Sequence, residues 1–185
     1  GATLHLTHRV QALNTTNSGC TVDGQAFDAA VLACSAAESA RLTQTIAPAW
    51  SAQAAAFEYE PIITVYLQSQ GSRWPLPMMA LYADAQAPAQ FAFDLGALDA
   101  ERAGLFAFVI SGAREWVERG IEHAEAATLA QAQQALQAHW RSPPQVLRTL
   151  CEKRATFKCT PNLVRPSTAV APGLAAVGDY VQGPY

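Results

Sequence analysis

Four apolar runs follow one another between Tyr59 and Ile110, and they constrain the fold more than any other feature of the chain. Tyr59-Glu-Pro-Ile-Ile-Thr-Val-Tyr-Leu67, Pro75-Leu-Pro-Met-Met-Ala-Leu-Tyr82, Gln90-Phe-Ala-Phe-Asp94 and Leu105-Phe-Ala-Phe-Val-Ile110 are separated by Ala/Asp/Gly/Pro segments. Four strands in a row with connectors this short argue for a mostly antiparallel sheet, because a parallel neighbour needs a long crossover. Pro61 is tolerable at an edge or a strand start. A further strand is expected over Val146–Phe157, its charges at Arg148 and Glu152-Lys153-Arg154 suiting a sheet edge that must not aggregate. Between them, residues 121–138 are rich in strong helix formers. Ile121, Thr128 or Leu129, Ala132 and Leu136 give them one apolar stripe, and Pro143-Pro144 closes the segment.

The expected sheet is crowded with bulky side chains: Tyr66, Met78, Met79, Tyr82, Phe91, Phe93, Phe106 and Phe108. Such residues suit either an ordinary core or the wall of a lipophilic pocket.

Ahead of this region the pattern is different. Thr3–Leu13 alternates well enough for one or two strands, the Asn14-Thr-Thr-Asn-Ser-Gly19 cluster turns the chain, and Asp23-Gly24 offers a second tight turn. A small antiparallel meander is expected there. Ala29–Ala33 then reads as a buried strand. Ser35-Ala-Ala-Glu38 has the spacing of a capping box, so a helix should begin at Ala36 and stop before Pro48. At the other end of the chain, Leu174–Val177 is a short unbroken apolar run, the pattern of a strand buried in an α/β sheet, and it stops at Gly178-Asp179. A small residue followed by a carboxylate at a strand's carboxyl end lies where open α/β sheets bind ligands. Glycine lets a ligand approach the backbone, and aspartate accepts hydrogen bonds from sugar or polyol hydroxyls.

Several classes of function are disfavoured. A net charge of −3 with 12 Lys and Arg leaves no basic face for nucleic acid. No apolar run approaches the ~20 residues of a membrane span, and Gly1-Ala-Thr-Leu-His does not read as a signal peptide. Cys20, Cys34, Cys151 and Cys159 contain no C-x-x-C pair, so zinc and thioredoxin-type chemistry lack their spacing, and a reducing cytoplasmic setting fits. His5 and His8 make a poor metal pair on a strand, and His123 with Glu122 or Glu125 lacks a second ligand cluster, so no metal site is expected. Neither G-x-G-x-x-G, G-x-x-x-x-G-K nor G-x-S-x-G occurs.

The segment Glu152-Lys153-Arg154-Ala155-Thr156-Phe157-Lys158-Cys159-Thr160-Pro161, together with Gly178-Asp179-Tyr180, resembles the carboxyl-terminal part of flavin amine-oxidase-like oxidoreductases. Within that superfamily it is most similar to bacterial squalene-associated FAD-dependent desaturases and hydroxysqualene dehydroxylases. The resemblance implies that Gly178 and Asp179 meet the flavin's ribityl chain, and that the backbone of Val10 meets the adenine end of FAD. It implies a mixed sheet as substrate domain, with Tyr66, Met78, Tyr82, Phe91, Phe93, Phe106 and Phe108 as candidate pocket residues for a lipophilic small molecule. It also implies that the pyrophosphate loop precedes Gly1 and that the FAD domain is truncated after Tyr185, so FAD is not expected to stay bound to these 185 residues alone.

The expectation is therefore an α+β fold. Residues 1–46 and 161–185 would be parts of an incomplete, Rossmann-like two-dinucleotide-binding FAD domain, and residues 47–160 a mostly antiparallel substrate-binding sheet with helices. The expected activity of the longer parent is FAD-dependent oxidation or reduction of a squalene-type isoprenoid in the cytoplasm, with peripheral membrane contact allowed. An amine oxidase or a phytoene-desaturase-like enzyme is the alternative within that class. A self-sufficient binding module for an apolar ligand or partner, without redox activity, is the alternative outside it.

Overall fold

The computed structural model describes residues 1–16 and 18–183. Its first three strands, β1 (Leu13–Thr16), β2 (Gly19–Val22) and β3 (Gln25–Phe27), form an antiparallel meander. Asp23 and Gly24 both sit at positive φ, 47° and 85°, the backbone a two-residue type I′ hairpin demands, so that turn forms where the sequence places it. The first strand does not. Thr3–Ala12 stays outside the sheet, because the Asp23 carboxylate accepts the amides of Gln11 (2.9 Å) and Ala12 (2.8 Å) that a ladder would have used. β1 starts instead at Leu13 and runs through Asn14–Thr16, the polar residues expected to turn. Asn17, from the same cluster, lies outside the described residues.

Strand β4 (Ala30–Leu32) leads into α1 (Ala36–Thr43), and α2 (Pro48–Ala55) follows. Ser35 caps α1 through the amide of Glu38. The capping box is only half made, for Glu38 turns its carboxylate to Arg9 (2.6 Å) and Arg41 (2.9 Å): two guanidinium charges outbid one neutral amide. Pro48 opens a helix here, at the position where its missing N–H costs nothing.

β5 (Tyr59–Gln68), β6 (Met78–Ala80), β7 (Phe91–Asp94), the short helix α3 (Leu95–Leu98), β8 (Leu105–Ile110), α4 (Arg114–Arg119), α5 (Ile121–Ala135) and β9 (Gln145–Phe157) come next. The strands make one antiparallel sheet of order β6-β7-β8-β5-β9. Pro61 falls where the β5–β9 register shifts, so its lack of an N–H breaks no ladder bond. β6 is shorter than expected, since Pro75 and Pro77 cannot donate to a neighbour. Finally β10 (Ala169–Ala171) and β11 (Leu174–Ala176) join β4 in a second small sheet, β11 running parallel to β4.

The fold is α+β with mostly antiparallel sheets, and the chain divides into two compact units. Unit 1 is residues 1–58 with 158–185, and unit 2 is residues 59–157. Helix α2, in the range expected to belong to the substrate sheet, packs in unit 1: the Trp50 indole donates to the Ser167 carbonyl at 2.7 Å.

Unit 2 buries one face of its sheet. Ile63, Val65, Leu67, Phe106, Phe108 and Ile110 lie under Ala124, Ala132 and Leu136 of the α5 region and under Trp116. Trp74 and Trp140 close that core, their rings 4.5 and 5.0 Å from the Phe106 ring. Buried polar groups are built in as well, Asp94 and Gln131 among them. Asp94 accepts the amides of Trp74 and Gly96, both at 3.0 Å, and Gln131 on α5 binds the Ala89 amide and the carbonyls of Tyr82 and Ala89. Burying these groups is tolerable because each has partners.

Candidate functional site

Within unit 1, β4 and β11 lie side by side and point the same way, the amide of Val177 continuing the pairing to the Leu32 carbonyl at 2.9 Å. Their carboxyl ends are therefore adjacent. One end leads through Cys34 to the capped start of α1, and the other is Gly178-Asp179. In an open α/β sheet this is the edge at which ligands bind.

The Gly178-Asp179 turn is held tightly. Gly178 has φ 149°, and a Cβ there would sit 2.9 Å from the Tyr180 ring, so a glycine is required twice over. The Asp179 carbonyl accepts from Arg165 Nη2 at 2.7 Å. Tyr180 is buried, its hydroxyl 2.7 Å from Ser39 Oγ on α1 and its ring edge-on to Trp50 and Phe57. By contrast the Asp179 side chain is exposed and makes no hydrogen bond or ion pair among the described residues. A fixed backbone thus carries an uncommitted carboxylate, so the main chain at least is already ordered for an acceptor role.

Val10 lines a cavity of ≈ 420 Å³ along β4, walled by Leu13, Val22, Val31 and Leu42 and rimmed by Arg9, Glu38 and Arg41. Arg41 spans the rim: it binds Glu38 and donates to the carbonyls of Gln11 (3.1 Å) and Val10 (2.7 Å). The Arg41 guanidinium, with Arg9 beside it, holds the Glu38 carboxyl below its ordinary value. Across Val22, Asp23 is likewise lowered by the Ala12 amide first, then by His8 (2.9 Å) and the Gln11 amide. A broader, more polar hollow bordered by His5, His8 and Phe27 lies there. Among the described residues no group of three or more His, Cys, Asp or Glu could hold a metal ion.

The seven aromatic and Met positions do not share one face of the unit 2 sheet. Tyr66, Met78, Phe91 and Phe93 line the face opposite the helices: the register places Tyr66 opposite Ala107, Ala107 opposite Phe93, and Phe93 opposite Met78. That face is open, with Met78 48% and Phe91 40% exposed. Phe106 and Phe108 are fully buried on the helix-covered face. Tyr82 lies past the end of β6, 84% exposed.

Sequence reasoning did not find Arg9, Glu38 and Arg41 as a cavity rim, nor Arg165 and Ser39 as supports of the Gly178-Asp179 turn. A recurring charge at positions 38 and 41 of a helix marks only an i,i+3 pair. Nothing local announces a contact across 141 residues.

No protein-family model matches the sequence, and no curated protein matches it. Solved structures do match the fold. An oxidoreductase from Methanosarcina mazei superposes with a TM-score of 0.66 at 16% identity, over 94% of this chain and 44% of that one. A candidate protoporphyrinogen oxidase from an Exiguobacterium species gives 0.60 at 12%, over 94% and 42%. A Pyrococcus furiosus protein gives 0.55 at 14%, over 88% and 38%. At such identities the likeness establishes the fold alone, and the chain spans less than half the length of each of these structures. Among the described residues no helix is long and apolar enough to cross a membrane.

Proposed function

We propose that this chain is part of a longer FAD-dependent oxidoreductase that acts on an isoprenoid of squalene or hydroxysqualene type. The observation that carries the flavin reading is the free Asp179 carboxylate on a fixed turn at the carboxyl end of β11, beside the carboxyl end of β4. Its chemistry fits the hydroxyls of a ribityl chain. The cavity at Val10, apolar in its walls and charged at its rim, fits an adenosine. The oxidoreductases among the matched structures lend support to a redox role.

When bound, the flavin would supply hydride transfer. The residues of this chain would do the rest of their work by binding. Asp179 would accept from ribityl hydroxyls, Gly178 would leave room for them, and the Val10 backbone would border the adenine. The open face with Tyr66, Met78, Phe91 and Phe93 would contribute an apolar wall for the substrate, with Phe106 and Phe108 supporting it from the far side of β8. The same open face favours a second reading, an apolar-ligand module without redox activity.

The test has two arms. In the longer protein, Asp179→Ala is expected to weaken FAD retention by about tenfold or more, the worth of one charge-assisted hydrogen bond. The 185-residue chain alone is expected to purify colourless, since neither the glycine-rich turn nor the helix start that cradles a dinucleotide pyrophosphate is in it. Undiminished flavin in the variant, or a 1:1 micromolar FAD complex of the chain alone, overturns these assignments. A longer protein that takes up a lipophilic fluorophore but never flavin favours the second reading.

A further inference from the structure

The Gly178-Asp179 turn is fastened on every side while the one side chain that could meet a ligand is left free. Ala176 donates to the Thr168 carbonyl at 2.8 Å, Val177 to Leu32 at 2.9 Å, and Gln182 to Pro166 at 2.7 Å. Between these bonds two side-chain contacts support the turn. Arg165 Nη2 takes the Asp179 carbonyl, and the Tyr180 hydroxyl takes Ser39 Oγ. Ser39 Oγ in turn lies 3.3 Å from Cys34 Sγ, in the residue that precedes the cap of α1, so the two strand ends are joined by a chain of polar contacts.

The Arg165 contact engages no carboxylate. It is spent on a backbone carbonyl, and Arg165 Nε is buried with no partner among the described residues. A surface ion pair with Asp179 would satisfy Arg165 better. Its absence keeps the Asp179 carboxylate uncommitted, while the bond to the carbonyl two atoms away restricts the ψ of that residue. The ring of Tyr180 covers Gly178 from the other side and leaves no space for a Cβ.

We propose that Arg165 and Tyr180 are positioning residues for Asp179: they hold the turn so that its carboxylate can meet a polyol hydroxyl donor without reorganisation of the backbone. This rests on the flavin reading above, and concerns the ribityl end of the cofactor alone. Positioning of this kind raises affinity by removing the cost of ordering a loop on binding. It acts through Asp179, so its loss cannot be felt once the carboxylate is gone.

The experiment measures the affinity of the flavin-stripped longer protein for FAD and for ADP, which has the adenosine and the pyrophosphate but no ribityl chain. Arg165→Gln and Tyr180→Phe are each expected to weaken FAD binding about threefold to tenfold and to leave ADP within twofold. Combined with Asp179→Ala, either is expected to add less than twofold to the loss from Asp179→Ala alone. Equal losses for FAD and ADP would mean a general loosening of the unit, and multiplicative losses in the double variants would mean an independent role; either outcome overturns the proposal. Tyr180→Phe keeps the ring that packs on Trp50 and Phe57, so it tests the idea even where Arg165→Gln does not fold. If Asp179→Ala leaves FAD affinity unchanged, the flavin assignment itself fails, an outcome distinct from an effect of Asp179→Ala that Arg165→Gln and Tyr180→Phe do not share.

Discussion

Units 1 and 2 contain similar local elements but are held together in different ways. Unit 2 is one continuous stretch of chain whose sheet is pinned by large apolar side chains; Phe106, Phe108, Ile63, Leu67 and Ile110 are all essentially inaccessible. Unit 1 is assembled from two stretches separated by the whole of unit 2. Its strands are three or four residues long, and beside the packing of Tyr180 on Trp50 and Phe57 its two stretches and its loops are joined by polar links: Trp50 to Ser167, Ser39 to Tyr180, Arg41 to Val10 and Gln11. Apolar burial is non-directional and survives small shifts, whereas hydrogen bonds fix positions within tenths of an ångström. The lesson is a division of labour: the continuous core of unit 2 presents a surface, and the polar joints of unit 1 present atoms.

The contrast can be broken most severely by ending the chain after Thr160. β10, β11 and Tyr180 are then gone, and β4 loses its neighbour β11 in the small sheet. Unit 1 is expected to lose its folded amide signals altogether while those of Phe106 and Phe108 stay dispersed in the NMR spectrum. Collapse of both sets, or survival of both, would refute the division.

Next in size is Phe106→Ala. The ring is fully buried between Trp74 and Trp140, so its removal should cost about 3–5 kcal/mol, the range for large aromatic truncations. Denaturant unfolding followed by tryptophan fluorescence measures it. A loss under about 1 kcal/mol would mean that this core is not what holds unit 2.

A smaller effect is expected from Ser39→Ala, which leaves the buried Tyr180 hydroxyl without its serine partner; about 1 kcal/mol of unit 1 stability should go. The same measurement on unit 2 should not move. An equal change in the two units would show that they unfold together and that the comparison has no energetic meaning.

Smallest is the response to acid. Asp23 and Glu38 are both held below their ordinary values in the folded chain, Asp23 chiefly by the Ala12 amide and Glu38 chiefly by Arg41. A carboxyl with a depressed folded pKa contributes stability that is present above its unfolded value, near pH 4, and is lost as pH falls through the folded value. Unit 1 should therefore unfold more readily at pH 3 than at pH 5. Both groups lie at the surface and are partly exposed, so added salt should blunt the effect. A unit 1 midpoint that does not fall between pH 5 and pH 3 would contradict this linkage.

Much of unit 2 was legible beforehand because its signals are periodic and local. The apolar alternation of β5, the Phe-Ala-Phe runs of β7 and β8, the charged edge strand β9 and the stripe on α5 each announce themselves within a few residues. Unit 1 was legible only at its turns and caps, Asp23-Gly24 and Ser35, and at the β11 run that ends in Gly178-Asp179. Reading Thr3–Leu13 as strand failed because its last amides are taken by a side chain from the following turn, a competitor that alternation cannot reveal.

By itself, then, the sequence determined the α+β class, the antiparallel character of the central sheet, the Asp23-Gly24 turn and the strand that ends in a glycine and a carboxylate. Those follow from side-chain period and backbone permissiveness, properties of neighbours along the chain. Only the tertiary structure decided which aromatic residues face the helices and which stay open, where Glu38 spends its charge, and that Arg165 and Ser39 brace the Asp179 turn. These depend on register and on contacts between residues as far as 141 apart, where the outcome is set by competition among many partners and no short stretch of sequence records the winner.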